Sequence, residues 1–146
     1  MISDASTELS QVINLTVFIF YVNIHIFVFS RVGNIGLFLC SDVYRKSAEI
    51  GYLLNEQFWN RGIMTKAVNL ICEYGFVELD IVRIHTGVFE YNLASQRVLE
   101  KCGFVKEGVF RKAIFKNGIL WDEIRYANLK ICEITIQQKR HLEREL

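Results

Sequence analysis

The stretch Glu49-Ile50-Gly51-Tyr52-Leu53-Leu54-Asn55-Glu56-Gln57-Phe58-Trp59-Asn60-Arg61-Gly62-Ile63-Met64-Thr65 decides how this chain is read. Its first six residues put Ile50, Tyr52 and Leu54 on one face, the period-two pattern of a strand. Past Thr65 the apolar residues Ala67, Leu70, Ile71, Tyr74 and Val77 recur at helical spacing, which predicts a helix over 65–79 with Thr65 as its N-cap. A loop carrying Arg61 and Gly62 joins the two. A glycine in a loop that feeds a helix lets backbone N–H groups converge, and the unpaired amides and dipole of the helix start attract a phosphate. Lys66 is unfavourable in a first helical turn unless an anion sits there. One glycine alone leaves the plainer alternative, an ordinary strand-to-helix turn, equally open.

Upstream, Ile24 to Phe29 and Ile35 to Cys40 flank the turn formers Gly33 and Asn34 and predict an antiparallel hairpin. Downstream, Ile81 to Phe89 reads as a strand, and Asn92 to Cys102 as a helix ended by Gly103. Phe104 to Phe115 and Leu120 to Leu129 are two apolar runs joined through Asn117-Gly118, a strong hairpin signal. Strand, helix, strand, helix and then an antiparallel pair predict a mixed α/β layer of the α+β kind.

A chain of 146 residues with 51% apolar content is long enough for one domain around one core. Residues 1–23 read as an atypical or shortened start and residues 137–146 as a charged tail, either a solvated helix or a frayed end. A net charge of +1, from 17 basic and 16 acidic residues, gives no broad positive face for nucleic acid or an anionic membrane. The four cysteines, Cys40, Cys72, Cys102 and Cys132, lie roughly 30 residues apart, which suggests neither a zinc site nor a redox pair. They read as buried apolar residues of a reducing cytoplasm, and no metal is expected. His25, His85 and His141 are scattered and read as structural or surface residues. Val12 to Phe29 approaches the length of a membrane span. Asn14, Asn23 and His25 interrupt it, and its β-branched and aromatic content favours two buried strands broken near Asn23. No basic residue precedes Arg31, so a signal peptide is not expected.

The second constellation is Glu90-Tyr91-Asn92-Leu93-Ala94-Ser95, followed by Val98-Leu99-Glu100-Lys101-Cys102-Gly103-Phe104. Taken in order with the Arg61 to Thr65 loop and its flanking strand and helix, it resembles the core of the GNAT superfamily of N-acetyltransferases. The resemblance runs from about Ile24 to Leu129 and is closest to the RimJ/RimL-like branch, which acetylates ribosomal-protein N-termini. It implies a mixed, twisted, mostly antiparallel sheet with splayed central parallel strands and helices on both faces. The cosubstrate it implies is acetyl-CoA, whose acetyl group passes to a primary amine, on a small molecule or a protein N-terminus.

Carried onto this sequence, the resemblance implies that main-chain amides around Arg61, Gly62, Ile63, Met64 and Thr65 hold the diphosphate of coenzyme A. The strand Glu49 to Leu54 would splay from Ile84 to Val88, and its backbone near Leu54 would polarise the thioester carbonyl. Asn92 would bond the pantetheine arm or cap the helix start. Lys101 would meet an outer phosphate, or else be a solvated surface lysine.

The chain also departs from the wider pattern. Trp59 and Met64 stand at loop positions where other residues are commoner, as they do in the branch named. The tyrosine acid of many members is replaced by Leu99, and Ser95, one turn earlier on the same helix face, is the alternative group to meet the thiolate. Residues before Ile24 are too few for the first strand and two helices that shape the acceptor site in the family.

Glu49 opens the strand facing the cleft and is the chosen general base. The alternative is a strand-edge carboxylate paired with Arg45 or Lys46, and Asp122 and Glu123 are weaker candidates for the base. No cysteine is placed as a nucleophile, so the amine would attack directly in a ternary complex. The rival classes are an impaired fold that only binds coenzyme A and a small membrane-anchored module. The acceptor stays open among a protein N-terminus, a free amino acid, a polyamine and an antibiotic amine, as does a homodimer.

Overall fold

The computed structural model describes the backbone of residues 18–22 and 25–29, all of residues 32–131, and Arg144. Seven strands form one sheet: β1 Phe18–Val22, β2 His25–Phe29, β3 Gly33–Leu39, β4 Ser47–Leu54, β5 Arg83–Phe89, β6 Val105–Lys116 and β7 Ile119–Leu129. Two helices cross it, α1 Ile63–Glu78 between β4 and β5, and α2 Leu93–Lys101 between β5 and β6. The strand order is β1-β2-β3-β4-β5-β7-β6, and every neighbouring pair is antiparallel except β4 with β5. This is the mixed, mostly antiparallel sheet expected.

The long apolar stretch near the N-terminus enters the sheet as β1 and β2, paired from Phe18 with Phe29 to Val22 with His25. Residues 12–17 and 23–24 of that stretch lie outside the described residues. Among the described residues no helix is long and apolar enough to cross a membrane. The expected tail over residues 137–146 also lies outside them, apart from Arg144. Both hairpin pairings form, β2 with β3 and β6 with β7 around Asn117-Gly118, where both residues take positive φ, but Gly33 and Asn34 are not the turn of the first: they belong to β3 and pair with Leu54 and Leu53 of β4.

Alternation along the strands sorts residues between two faces. One face carries Ile35, Leu37, Ala48, Ile50, Ile84, Val88, Ile124 and Tyr126, all buried. Met64, Ala67, Val68, Ile71 and Cys72 of α1 pack into the same core, and so does Leu99 of α2, which has no exposed surface. Deleting such a side chain costs about 2–5 kcal/mol. Both described helices therefore lie on this face. The opposite face carries Phe38, Glu49, His85, Gly87, Glu123 and Arg125 and is covered by no helix among the described residues.

Thr65 is not the N-cap of α1. The helix begins two residues earlier, at Ile63, and Gly62 caps it at φ 70°, with no side chain accepting from the first turn. The cap rule looks for a side-chain oxygen, and here a left-handed backbone turns the chain into the helix instead. At the end of α2, Gly103 at φ 81° closes a Schellman turn, with Phe104 N bonded to Leu99 O at 3.0 Å.

Candidate active site

The parallel pairing of β4 with β5 lasts three residues, Ser47 with Arg83, Ala48 with Ile84 and Glu49 with His85, and then the strands part. Which backbone groups face the opening follows from the flanking bonds. Asn55 N donates to Val32 O at 2.9 Å and Cys40 N to Ser47 O at 3.0 Å, so odd-numbered residues of β4 turn their peptide groups toward β3. The even-numbered Ile50, Tyr52 and Leu54 then turn theirs toward β5. On the far side Lys130 N donates to Val82 O at 2.8 Å, which assigns even-numbered residues of β5 to β7 and leaves Gly87 and Phe89 facing the gap. An extended, amide-containing chain laid in this gap finds strand-like partners on both sides. The Leu54 carbonyl is already committed, because Trp59 Nε1 donates to it at 2.8 Å. The Leu54 N–H is the group left to meet a carbonyl oxygen in the gap.

At the mouth of the gap stands the start of α1. The first helical bond is Lys66 N to Gly62 O at 3.1 Å, so the amides of Ile63, Met64 and Thr65 point out of the helix end. A β-carbon on Gly62 would find nothing within 4 Å, so no other group fills the space beside Gly62 at the helix start. Arg61 and Lys66 are exposed beside them, and α1 has no acidic residue in its first turn. Two cations and three amides around open space suit a diphosphate. The far end of α2 reaches the same place: Cys102 Sγ donates to Thr65 O at 3.4 Å, and the exposed Lys101 precedes it.

The start of α2 meets β4. Asn92 Oδ1 accepts from Ser95 N at 3.1 Å, so of its two expected roles the oxygen serves the helix cap. Only its amide nitrogen is left to meet an arm in the gap. Asn92→Ala is expected to cost about 1 kcal/mol of stability, measurable by urea unfolding. Ser95 Oγ lies 2.7 Å from the Tyr52 hydroxyl. Sequence reasoning missed Tyr52 as a functional group, because its alternation with Ile50 marks it only as a core residue.

On the open face, Glu49 stands exposed beside His85, its partner across β4 and β5. The cations once considered for it are placed elsewhere. Lys46 pairs with Asp80, and Arg45 Nη1 donates to the Asp42 carbonyl at 3.5 Å. Among the described residues Glu49 has no salt-bridge partner. Glu123 is held by Arg125 Nη1 at 3.1 Å, and Glu107 by Arg83, with Nη1 to Oε1 at 2.8 Å. The Glu123 carboxylate lies over Gly87, where a β-carbon would collide with it. Asp122 caps the β6 bulge by accepting from Lys112 N at 2.8 Å.

His85 has a larger part here than its isolated place in the sequence indicates. Arg125 Nη2 approaches its Nδ1 at 3.4 Å, and because a guanidinium only donates, Nδ1 accepts and the ring hydrogen is on Nε2, facing Cys40 Sγ at 3.7 Å. Burial, and then the Arg125 charge, hold its pKa below the ordinary histidine value, which keeps the ring neutral at pH 7. Burial pushes the Cys72 thiol up to about 12 and raises Cys102 as well, so neither is a thiolate at neutral pH. Cys40 bonds to Ser47, at the closed end of the β4–β5 pairing and away from the gap.

A strand pair opens over a helix start whose first amides no side chain caps, with a serine and a carboxylate nearby, and comparison with known proteins assigns the chain to a family. The acetyltransferase (GNAT) domain matches residues 16–105, and the chain belongs to the GNAT acetyltransferase family. It is 45% identical over 92 residues to the probable N-acetyltransferase YjcK of Bacillus subtilis, covering 63% of this chain and 50% of that protein. The chain thus spans about half the length of the curated relatives it matches. Among solved structures it resembles the microcin C7 self-immunity acetyltransferase MccE, in complex with acetyl-CoA and AMP. That match has a TM-score of 0.63 and 33% identity, over 73% of this chain and 61% of the other. The ribosomal-protein-S5-alanine acetyltransferase of Vibrio fischeri superposes with a TM-score of 0.67 at 26% identity, over 86% of this chain and 67% of the other.

Proposed function

We propose that this chain is an acetyl-CoA-dependent N-acetyltransferase whose acceptor is an α-amine at a protein N-terminus. The observation that carries the reading is the gap between β4 and β5, opening after Glu49 beside the start of α1, whose first amides no side chain caps. Acetyl-CoA supplies an activated acetyl group as a thioester. The Ile63, Met64 and Thr65 amides, with Arg61, Lys66 and Lys101, bind its phosphates. Leu54, Gly87 and Phe89 offer strand-like partners to the pantetheine arm, and the Tyr52 N–H, deeper in the gap toward Glu49 and beside Ser95, stabilises negative charge developing on the thioester oxygen. Glu49 takes a proton from the incoming ammonium, the neutral amine then attacks, and Ser95 meets the departing sulfur. Among the described cysteines, Cys72 and Cys102 have raised thiol pKa values and Cys40 lies at the closed end of the pairing, which supports direct attack without an acetyl-enzyme. The free cysteines Cys40, Cys72 and Cys102 support a reducing, cytoplasmic setting.

Two observations favour an α-amine over a polyamine. Of the carboxylates on the open face, Glu107 and Glu123 are each neutralised by an arginine, which leaves Glu49 to meet a single cationic nitrogen. Likeness to the ribosomal-protein acetyltransferase of Vibrio fischeri supports the same choice, while likeness at a comparable level to the spermidine N-acetyltransferase of Vibrio cholerae makes a polyamine the rival acceptor.

The test is coenzyme A release from acetyl-CoA across a panel of peptide N-termini, free amino acids, polyamines and aminoglycosides at pH 7. Peptide N-termini are expected to give the highest kcat/KM. A preference for polyamines would overturn the acceptor, and acetyl-CoA binding without turnover on any amine would leave a fold that binds coenzyme A and transfers nothing.

A further inference from the structure

We propose that Tyr52 is a positioning residue for the transfer: its hydroxyl donates to Ser95 Oγ and thereby turns the Ser95 hydrogen toward the sulfur that leaves. The proposal rests on the acetyltransferase reading above. Tyr52 lies on β4 three residues past the last pairing with β5, and its ring packs against the core. Its hydroxyl is 2.7 Å from Ser95 Oγ and 3.3 Å from the Ser95 carbonyl, so the shorter bond is to Oγ. Leu99, one turn further along α2, is wholly buried and brings no polar group to the gap.

The direction of the bond follows from acidity. A phenol gives up its hydrogen more readily than an aliphatic alcohol, so Tyr52 is the donor and Ser95 Oγ the acceptor. A serine hydroxyl has one hydrogen, and with a lone pair taken by Tyr52 that hydrogen turns away from the ring. The helix cap at Asn92 fixes the Ser95 backbone, and Tyr52 fixes the rotation of its hydroxyl.

In the transfer the amine nitrogen forms its bond to the acetyl carbon, the carbon–sulfur bond breaks, and the electron pair leaves on sulfur. Ser95 then donates a hydrogen bond to the thiolate. Tyr52 does not supply a proton. Burial pushes its hydroxyl up to about 12, against about 8.5 for a thiol, so proton transfer from it would be uphill by more than roughly a thousandfold. An ammonium loses two protons on becoming an amide: Glu49 takes the first before attack and passes it to solvent, the second leaves the nitrogen for solvent once the carbon–nitrogen bond has formed, and the thiolate is protonated in water.

A plain structural tie between β4 and α2 predicts something different. The experiment measures kcat and KM for acetyl-CoA, with melting temperature, in the parent, Tyr52→Phe, Ser95→Ala and the double variant. Tyr52→Phe is expected to lower kcat about threefold to tenfold with KM unchanged, and the double variant to match Ser95→Ala. Losses that multiply in the double variant, a parent-like kcat in Tyr52→Phe, or a Tyr52→Phe chain too unstable to assay would each overturn the proposal. A parent that neither binds nor turns over acetyl-CoA overturns the acetyltransferase reading itself, and Tyr52's role falls with it. An active parent unaffected by Tyr52→Phe removes only the role of Tyr52.

Discussion

Acetyl-CoA at a hundred times its dissociation constant is expected to stabilise the folded chain by about 2.7 kcal/mol, and Gly62→Glu is expected to abolish that gain. For a chain of this size the gain corresponds to a rise in melting temperature of roughly 5–11 °C. Two effects act together in the variant. Gly62 sits at φ 70°, a conformation costing a side-chain-bearing residue about 1–2 kcal/mol, so the amides behind it lose their fixed direction. The new carboxylate also stands where the phosphates of the ligand would lie. Gly62→Ala separates the two, since it carries the backbone cost without the charge and should keep part of the shift. Differential scanning fluorimetry of the three proteins with and without acetyl-CoA reads the result. A folded Gly62→Glu chain with an undiminished shift would remove the loop from the binding site.

Glu49→Gln is expected to lower kcat/KM about 10- to 100-fold at pH 7, and raising the pH toward 9 is expected to recover much of the loss. An α-amine of pKa about 7.7–8.0 is roughly a tenth neutral at pH 7, whereas a lysine-like amine near 10.4 is neutral in fewer than about one molecule in a thousand. Solvent therefore deprotonates the first kind unaided as the pH rises through 8. With a polyamine acceptor the variant's rate would keep climbing past pH 9. The exposed carboxylate, with no salt-bridge partner among the described residues, is free to take a proton from an incoming ammonium. Glu123, held by Arg125, is less free. Profiles of kcat/KM from pH 6 to 10 for both proteins decide the matter. Superimposable profiles would exclude Glu49 as the base and move the role to Glu123 or a bound water.

The strand and the helix on either side of the Arg61 and Gly62 loop were legible before the fold because their signals are local, whereas the parting of β4 from β5 was implied only by the family resemblance. Ile50, Tyr52 and Leu54 alternate within six residues, and Ala67 to Val77 repeat within one helix. The glycine between them could be placed, though not its conformation. Thr65 looked like the cap because cap rules count side-chain oxygens, while the left-handed backbone at Gly62 leaves no side-chain mark. Asn92 showed the opposite case: its cap to Ser95 is a contact three residues long, and it was read as one of two options.

The sequence by itself determined the order of strands and helices, both hairpins, and the loop at Arg61 and Gly62. It also marked Val12 to Phe29 as strand-forming, as its described residues are, because periodicity and turn chemistry act over a few residues. Only the tertiary structure decided that Tyr52 meets Ser95, 43 residues away, that His85 lies between Arg125 and Cys40, and that Glu49 escapes the lysine and arginine next to it. Those meetings depend on which strand lies beside which and in what register, and register is set by the packing of the whole core under α1 and α2. A shift of one residue in β4 would carry Glu49 to the buried face and Ile50 to the open one, and burial of Ala48, Ile50 and Leu37 together is what forbids it.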